Sequence, residues 1–87
     1  MKIEGFALKT SKNEYLVMEQ IANSLIDVYT TDSPEHATLF NLLTTAIQEM
    51  NNIKNKTGKW DYQILDEDMP EKIVKIIKLI HVEDVDV

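Results

Sequence analysis

Alternating apolar and polar residues in the first third of the chain predict three short strands. Residues 2–9 and 14–19 are apolar runs separated by the polar, turn-forming residues 10–13, which predicts a β-hairpin. A third strand is predicted over residues 25–30, where apolar and polar residues alternate around Val28. This part of the chain therefore favours antiparallel strands joined by short turns.

The middle of the chain predicts the main helix. A capping oxygen followed by a proline starts a helical turn at Pro34, and apolar residues then recur at steps of three and four over residues 39–53. The helix should end by residues 55–58. Either it is continuous from Pro34, or Asn41 caps a separate second helix. The recurring apolar residues, expected to face the core, are Leu39, Leu43, Ala46, Ile47, Met50 and Ile53.

The last third of the chain predicts two more strands. Residues 60–65 alternate, with Trp60 and Tyr62 on one face. Residues 72–82 have a lysine at every third position, and their many β-branched residues favour a strand, with an amphipathic helix as the alternative. Together these elements predict one α+β domain over residues 1–87. We expect a small antiparallel sheet with one main helix packed across it, in the order β-β-β-α-β-β.

Composition narrows the class of protein. The chain has 87 residues, 44% of them hydrophobic and none of them cysteine, which indicates one folded domain without disulfides or a thiolate zinc site. The absence of cysteine favours a reducing cytoplasm. No apolar run reaches the roughly 18 residues of a membrane span, so we expect no membrane insertion. Glu4 lies where a signal peptide would need an apolar run, so we also expect no leader segment.

The distribution of charge is the strongest functional signal. The formal net charge is −6, there is no arginine, and eight of the 15 carboxylates lie in residues 61–87. This balance argues against direct nucleic-acid binding, which depends on basic side chains, and favours a protein partner with a basic surface. Trp60 and Tyr62 beside these carboxylates have the composition of an interface, although core packing is the favoured role for Trp60 because the chain has few other large side chains. The candidate partner-binding residues are Trp60, Tyr62, Asp66, Glu67, Asp68 and Glu71.

Catalytic and cofactor chemistry find little support in the sequence. The only glycines, Gly5 and Gly58, are too far apart to form a phosphate-binding loop. No pattern connects His36 and His81 to each other or to a nucleophile. The acidic run 66–68 lacks the glycine and the distant glutamate of a calcium-binding loop. We therefore expect no enzyme activity, no cofactor and no metal, and a solvated acidic loop is the simplest interpretation of the run.

A pattern of core positions covers roughly residues 3–50. It is formed by residues 3–8, residues 14–17, residues 28–32, Ala37, Thr38, Leu39, Phe40 and Ala46. The pattern resembles short phage and prophage proteins of low-GC Gram-positive bacteria, in which a hairpin precedes a helix with an Ala-x-x-Phe pattern followed by a further alanine. The resemblance implies that fold and a phage origin, and it carries no site residues.

In size, charge and lack of a catalytic motif, the chain is also similar to small acidic phage proteins, among them several anti-CRISPR proteins, that occupy the nucleic-acid channel of a nuclease. This resemblance implies an inhibitor of a host nucleic-acid enzyme, in which Asp66, Glu67, Asp68 and Glu71 take the place of phosphates. The alternative hypothesis is a structural or assembly module that homodimerises through an exposed strand in residues 73–82, whose apolar residues exceed what a half-solvated sheet needs.

Overall fold

The computed structural model describes residues 1–86, which form a five-stranded sheet and one α-helix. This confirms the α+β class. Two short 3-10 turns, Pro34–His36 and Asp66–Asp68, punctuate the loops. The main elements are β1 (Lys2–Lys9), β2 (Tyr15–Ala22), β3 (Leu25–Thr31), α1 (Leu43–Asn55), β4 (Asp61–Gln63) and β5 (Lys72–Leu79).

The sheet differs from the predicted one in two respects. It is mixed rather than purely antiparallel, because β4 pairs parallel to β3. The crossover through α1 returns the chain to the starting end of β3, which is the type of connection that a parallel pair requires. The elements follow one another along the chain in the predicted order β-β-β-α-β-β, but the strand order across the sheet, β4-β3-β2-β1-β5, is not the sequential one.

Residues 72–82 contain a strand, and the helical alternative is wrong. β5 pairs antiparallel with β1 along its whole length, from Lys72 opposite Lys9 to Leu79 opposite Lys2. Because β-branched side chains fit a pleated surface better than a helix, the composition of this segment favours the strand. β5 lies at one edge of the sheet.

β1 and β2 form a hairpin that opens beyond its turn. They pair at Lys9 and Tyr15, and residues 37–40 then insert between them. The Phe40 and Phe6 backbones exchange two hydrogen bonds of 2.8 Å. The Thr38 backbone N–H donates to Leu16 O at 3.1 Å on the β2 side. We call residues 37–40 the wedge segment.

The wedge segment corrects the predicted start of the helix. Helical structure at Pro34 lasts for a single 3-10 turn, and α1 begins separately at Leu43, with Leu42 at its N-cap and no capping side-chain bond from Asn41. Thus Leu39 and Phe40 of the resemblance pattern lie outside the helix. Hydrogen bonds to the flanking strands satisfy the backbone here, and they override the local helix signal.

Two clusters of apolar side chains form the core. The larger one packs α1 on the sheet, and the smaller one packs the wedge segment on the other side of β1 and β5. Gly5 makes room for the wedge segment, since a Cβ there would lie 2.9 Å from the Leu39 Cβ. Of the predicted helical stripe, Ala46 and Ile53 are buried, whereas Leu43 and Ile47 stay about half exposed. Among residues 1–86, no helix has the length and apolarity to cross a membrane.

Candidate functional site

The second 3-10 turn displays three consecutive carboxylates. Asp66 and Glu67 are exposed, and Asp68 is partly buried. The turn is closed by the Asp68 N–H, which donates to Leu65 O at 2.9 Å, and it ends before the buried Pro70. The sequence prediction of an acidic cluster at these three residues therefore corresponds to one compact, ordered turn.

A carboxylate from the β1–β2 hairpin approaches this turn. Partial burial raises the pKa of the Asp68 carboxyl above its ordinary value, and the negative charges of Glu67 and Glu14 raise it further. Lys12 acts in the opposite direction. Glu14 itself accepts a hydrogen bond from Thr30 Oγ1 at 3.3 Å. The turn thus holds like charges near one another, which is unfavourable in free energy, and a positively charged ligand would reduce this repulsion.

Asp68 also lines a groove on the sheet. The groove has a volume of about 260 Å³ and runs between β3 and the segment that follows β4. Parallel pairing sets Asp27 beside Gln63 on the side of the sheet away from α1, because Ile26 and Tyr62 in the same two strands point toward the core. The groove is lined by Asp27, Val28, Tyr29, Gln63, Ile64, Leu65 and Asp68.

Tyr29 stands between carboxylates on this face. Its ring is 39% exposed, and its hydroxyl donates to Glu19 Oε1 at 2.6 Å. That hydrogen bond raises the pKa of the Tyr29 hydroxyl, with smaller effects from burial and from the charges of Glu19 and Asp27. We call this surface the acidic face. It extends around the edge of the sheet at β3. Glu19, Asp27 and Tyr29 lie on the side away from α1, and Asp66, Glu67 and Asp68 lie in the adjoining turn. Glu14 approaches Asp68 from the α1 side, where it bonds to Thr30.

Trp60 and Tyr62 lie beside the helix. The Tyr62 hydroxyl donates to Glu49 Oε2 of α1 at 2.7 Å, and burial raises the pKa of this phenol. Trp60 is partly buried and shares a small cavity of about 210 Å³ with Ile53 near the carboxyl end of α1. The structure therefore separates these two aromatic side chains from the groove beside Asp68.

Glu71 lies at the start of β5 and does not line the groove. Its Oε2 is 3.9 Å from Lys54 Nζ, a contact between two exposed side chains that contributes little to stability. Its backbone N–H donates to Lys9 O at 2.7 Å, which fixes the end of the β1–β5 ladder. Of the six predicted residues, Asp66, Glu67 and Asp68 are brought together, and Trp60, Tyr62 and Glu71 are placed elsewhere.

Four residues of the acidic face were not predicted from the sequence: Glu14, Glu19, Asp27 and Tyr29. A signal for part of this set was present, because the alternation in β2 and β3 puts Glu19, Asp27 and Tyr29 on the side opposite to the core residues. The meeting of that side with Asp68 depends on the parallel pairing of β4, which local patterns do not reveal.

Metal chemistry has no assembled ligand set in the part of the chain that the structure describes, where no three histidine or carboxylate side chains converge on one point. No protein-family model, no curated protein and no solved structure matches this chain.

A second surface feature is the free edge of β5. The strand carries Lys72, Lys75 and Lys78, and its last two apolar side chains, Ile77 and Leu79, are 53% and 85% exposed. Lys75 Nζ lies 3.4 Å from Glu4 Oε2 on the neighbouring strand. An eight-residue edge strand with exposed apolar side chains is a template for pairing with another chain.

Proposed function

We propose that this chain is a non-enzymatic binding protein whose acidic face engages a basic surface of a protein partner. The observation that supports this proposal is the position of Asp68, which is held near Glu14 and Glu67 and lines the groove with Asp27 and Tyr29. A lysine or arginine side chain in this groove would meet carboxylates on two sides and the Tyr29 ring between them. Such contacts bring both charge attraction and a cation–π interaction.

The partner class we propose is a host nucleic-acid enzyme, with the acidic face occupying its basic channel. Carboxylates spaced along one face substitute for the phosphates that such channels bind. The 3-10 turn Asp66–Asp68 presents them on a short, hydrogen-bonded support rather than on a flexible tail. The resemblance to small acidic phage proteins leads us to the same class of partner and to a cytoplasmic site of action.

The test compares two double variants, each of which neutralises two aspartates that are separated by one residue. Asp66 and Asp68 form an Asp-x-Asp pair in the acidic face, and Asp84 and Asp86 form another in the exposed tail. Tagged wild type, D66N/D68N and D84N/D86N are used to capture partners from host lysate at low and at high salt. We expect wild type and D84N/D86N to retain a basic nucleic-acid enzyme that high salt releases, and D66N/D68N to lose it.

The purified partner then allows a direct measurement. Wild type should inhibit its nucleic-acid binding or cleavage in a salt-dependent way, because the attraction between exposed charges is screened by salt. Equal inhibition by wild type and D66N/D68N would disprove the role of the acidic face. Equal loss in both double variants would show that net charge alone is responsible.

A second candidate function is an assembly module that homodimerises through β5. It is favoured by the position of β5 at the sheet edge and by the exposed Ile77 and Leu79 side chains. Light scattering over a range of concentrations tests it. A mass that rises toward the dimer supports assembly, and a constant monomer mass at high micromolar concentration contradicts it.

A further inference from the structure

We infer that β5 pairs antiparallel with β5 of a second copy, about a two-fold axis that passes beside Ile76. This inference rests on the second candidate function, assembly through an exposed strand, and specifies its partner and register. Two five-stranded sheets would then form one continuous sheet of ten strands, with both α1 helices on the same side.

The hydrogen bonds of the β1–β5 ladder define which backbone groups are free. Ile80 N–H donates to Met1 O at 2.8 Å, and the Met1 amino group lies 3.5 Å from Ile80 O. In an antiparallel ladder such pairs alternate, so the even-numbered residues of β5 bond to β1. The same alternation on β1 explains why Phe6 bonds to the wedge segment instead. The outward-facing backbone groups of β5 therefore belong to Ile73, Lys75, Ile77 and Leu79.

The two-fold symmetry restricts the register. Residues opposite each other in an antiparallel pair point to the same side of the sheet, so a symmetric pair of β5 strands must centre on a residue facing its own copy. Centring on Ile76 places Ile73 opposite Leu79 and Lys75 opposite Ile77. All outward backbone groups of the strand then find partners, and each lysine lies opposite an aliphatic side chain.

Neighbouring registers are less favourable. Centring on Lys75 would place two Lys75 side chains opposite each other, and Lys72 opposite Lys78, and like charges at such positions are destabilising. Centring on Ile77 would place Ile73 opposite His81, which lies beyond the end of the strand. The lysine spacing therefore disfavours the Lys75 register, the end of the strand disfavours the Ile77 register, and the Ile76 register is the one we infer.

This pairing also explains the exposed side chains. Leu79, which is 85% exposed, would pack beside Ile73 of the second copy, and Ile77 beside the aliphatic stem of Lys75. A groove of about 560 Å³ between the first 3-10 turn and residues 76–80 borders the same axis, so its apolar lining would be covered too. Because the strand complements its own outward backbone groups and keeps its lysines from lying directly opposite one another, a second copy is the occupant we propose.

Cysteine cross-linking tests the register. The chain has no native cysteine, and Lys75 and Ile77 are both exposed, so K75C and I77C introduce single thiols without opening the core. Oxidised glutathione is added to each variant separately and to an equimolar mixture of the two. Mass spectrometry then identifies the disulfide-linked dimers by their masses. Random cross-linking would give about twice as much heterodimer as each homodimer, so the Ile76 register predicts a K75C–I77C heterodimer well above this statistical ratio, and the statistical ratio itself would contradict the register. Predominant K75C homodimer or I77C homodimer would overturn it in favour of a neighbouring register.

Light scattering distinguishes a wrong register from the absence of dimerisation. A wild-type chain that stays monomeric overturns the second candidate function, whereas a dimer with the wrong cross-link overturns only the register. The pair I77K and I21K provides the matched control, because Ile77 and Ile21 are 53% and 52% exposed and Ile21 lies on β2. We expect I77K to weaken dimerisation at least about tenfold and I21K to leave it within about twofold. Equal effects of the two variants would contradict the proposed interface.

Discussion

At the scale of single residues, Thr10 organises the hairpin turn that carries Glu14. Its side chain is 1% exposed, and its Oγ1 accepts hydrogen bonds from the backbone N–H groups of Lys12 and Glu14 at 3.2 and 3.3 Å. The Thr10 backbone N–H donates to Glu14 O at 2.8 Å. One buried hydroxyl thus holds the turn that presents the Glu14 carboxylate near Asp68.

Replacing Thr10 by valine should destabilise the protein. T10V keeps the shape of the side chain but leaves two backbone donors without their acceptor, so we expect a loss of about 1 to 3 kcal/mol in the free energy of unfolding. T10S keeps the hydroxyl and should lose less. Urea denaturation of the three proteins gives the comparison. A T10V protein as stable as wild type would show that solvent replaces these bonds at no cost.

Asp68 should make the stability of the fold depend on pH. Its folded-state pKa is raised above the ordinary 3.8, so the folded state binds the proton more tightly than the unfolded state does. Its contribution is therefore most favourable below pH 3.8 and is lost as the pH rises through the folded-state pKa. At neutral pH the charged carboxylate is a cost of folding.

D68N should therefore stabilise the protein at pH 7, by less than about 1 kcal/mol because the group is only partly buried. The difference from wild type should shrink as the pH falls through the raised folded-state pKa of Asp68, and it should be small below pH 3.8. Denaturation across this pH range tests both points, with D84N in the exposed tail as the control. A destabilised D68N protein at pH 7 would mean that Asp68 makes a favourable contact in its charged form.

At the scale of elements, the sequence predicted those that depend on local patterns and missed the features that depend on contacts distant in sequence. β1, β3 and β5 are visible from alternation and β-branched composition, and α1 from its apolar stripe. The sequence left open whether the helix runs through the wedge segment or begins after Asn41, because the hydrogen-bond partners of this segment, Phe6 and Leu16, are distant in sequence. Parallel pairing of β4 was missed for the same reason.

The candidate site divides in the same way. The carboxylates of Asp66, Glu67 and Asp68 are adjacent in sequence, so their cluster was predictable. Tyr29 and Asp27 join them only after β4 has paired with β3. Trp60 precedes the acidic turn by a few residues, yet it lies near the carboxyl end of α1 with Ile53. Proximity in sequence is therefore a poor guide to this surface where strands intervene.

The carboxyl end of α1 offers a prediction for an element. Lys56 adopts a left-handed conformation with φ of 54°, which glycine tolerates better than a residue with a Cβ. K56G should raise the free energy of unfolding by about 0.5 to 1 kcal/mol. K54G, at a position two residues earlier and inside α1, should lower the free energy of unfolding by about 1 kcal/mol. Thermal unfolding distinguishes them, and a loss of stability in K56G would show that the lysine side chain has a role of its own.

At the scale of the whole molecule, the two candidate surfaces lie at opposite edges of the sheet. The groove of the acidic face lies beside β3 and β4, and β5 closes the far edge of the order β4-β3-β2-β1-β5. Pairing through β5 would therefore leave both acidic faces free and set them at the two ends of the ten-stranded sheet. The two proposals are compatible, and a dimer would bind a repetitive basic partner more strongly than a monomer.

Hydrogen exchange of the β5 amides tests the edge of the sheet and its assembly together. In dilute solution the N–H groups of Val74 and Ile76 should exchange slowly, because they point toward β1, while those of Lys75 and Ile77 should exchange fast. Raising the protein concentration should slow the fast pair, since pairing with a second copy gives these groups acceptors. NMR resolves each amide. Uniform protection in dilute solution would contradict the edge position of β5, whereas alternation that persists at high concentration would contradict only the pairing between copies.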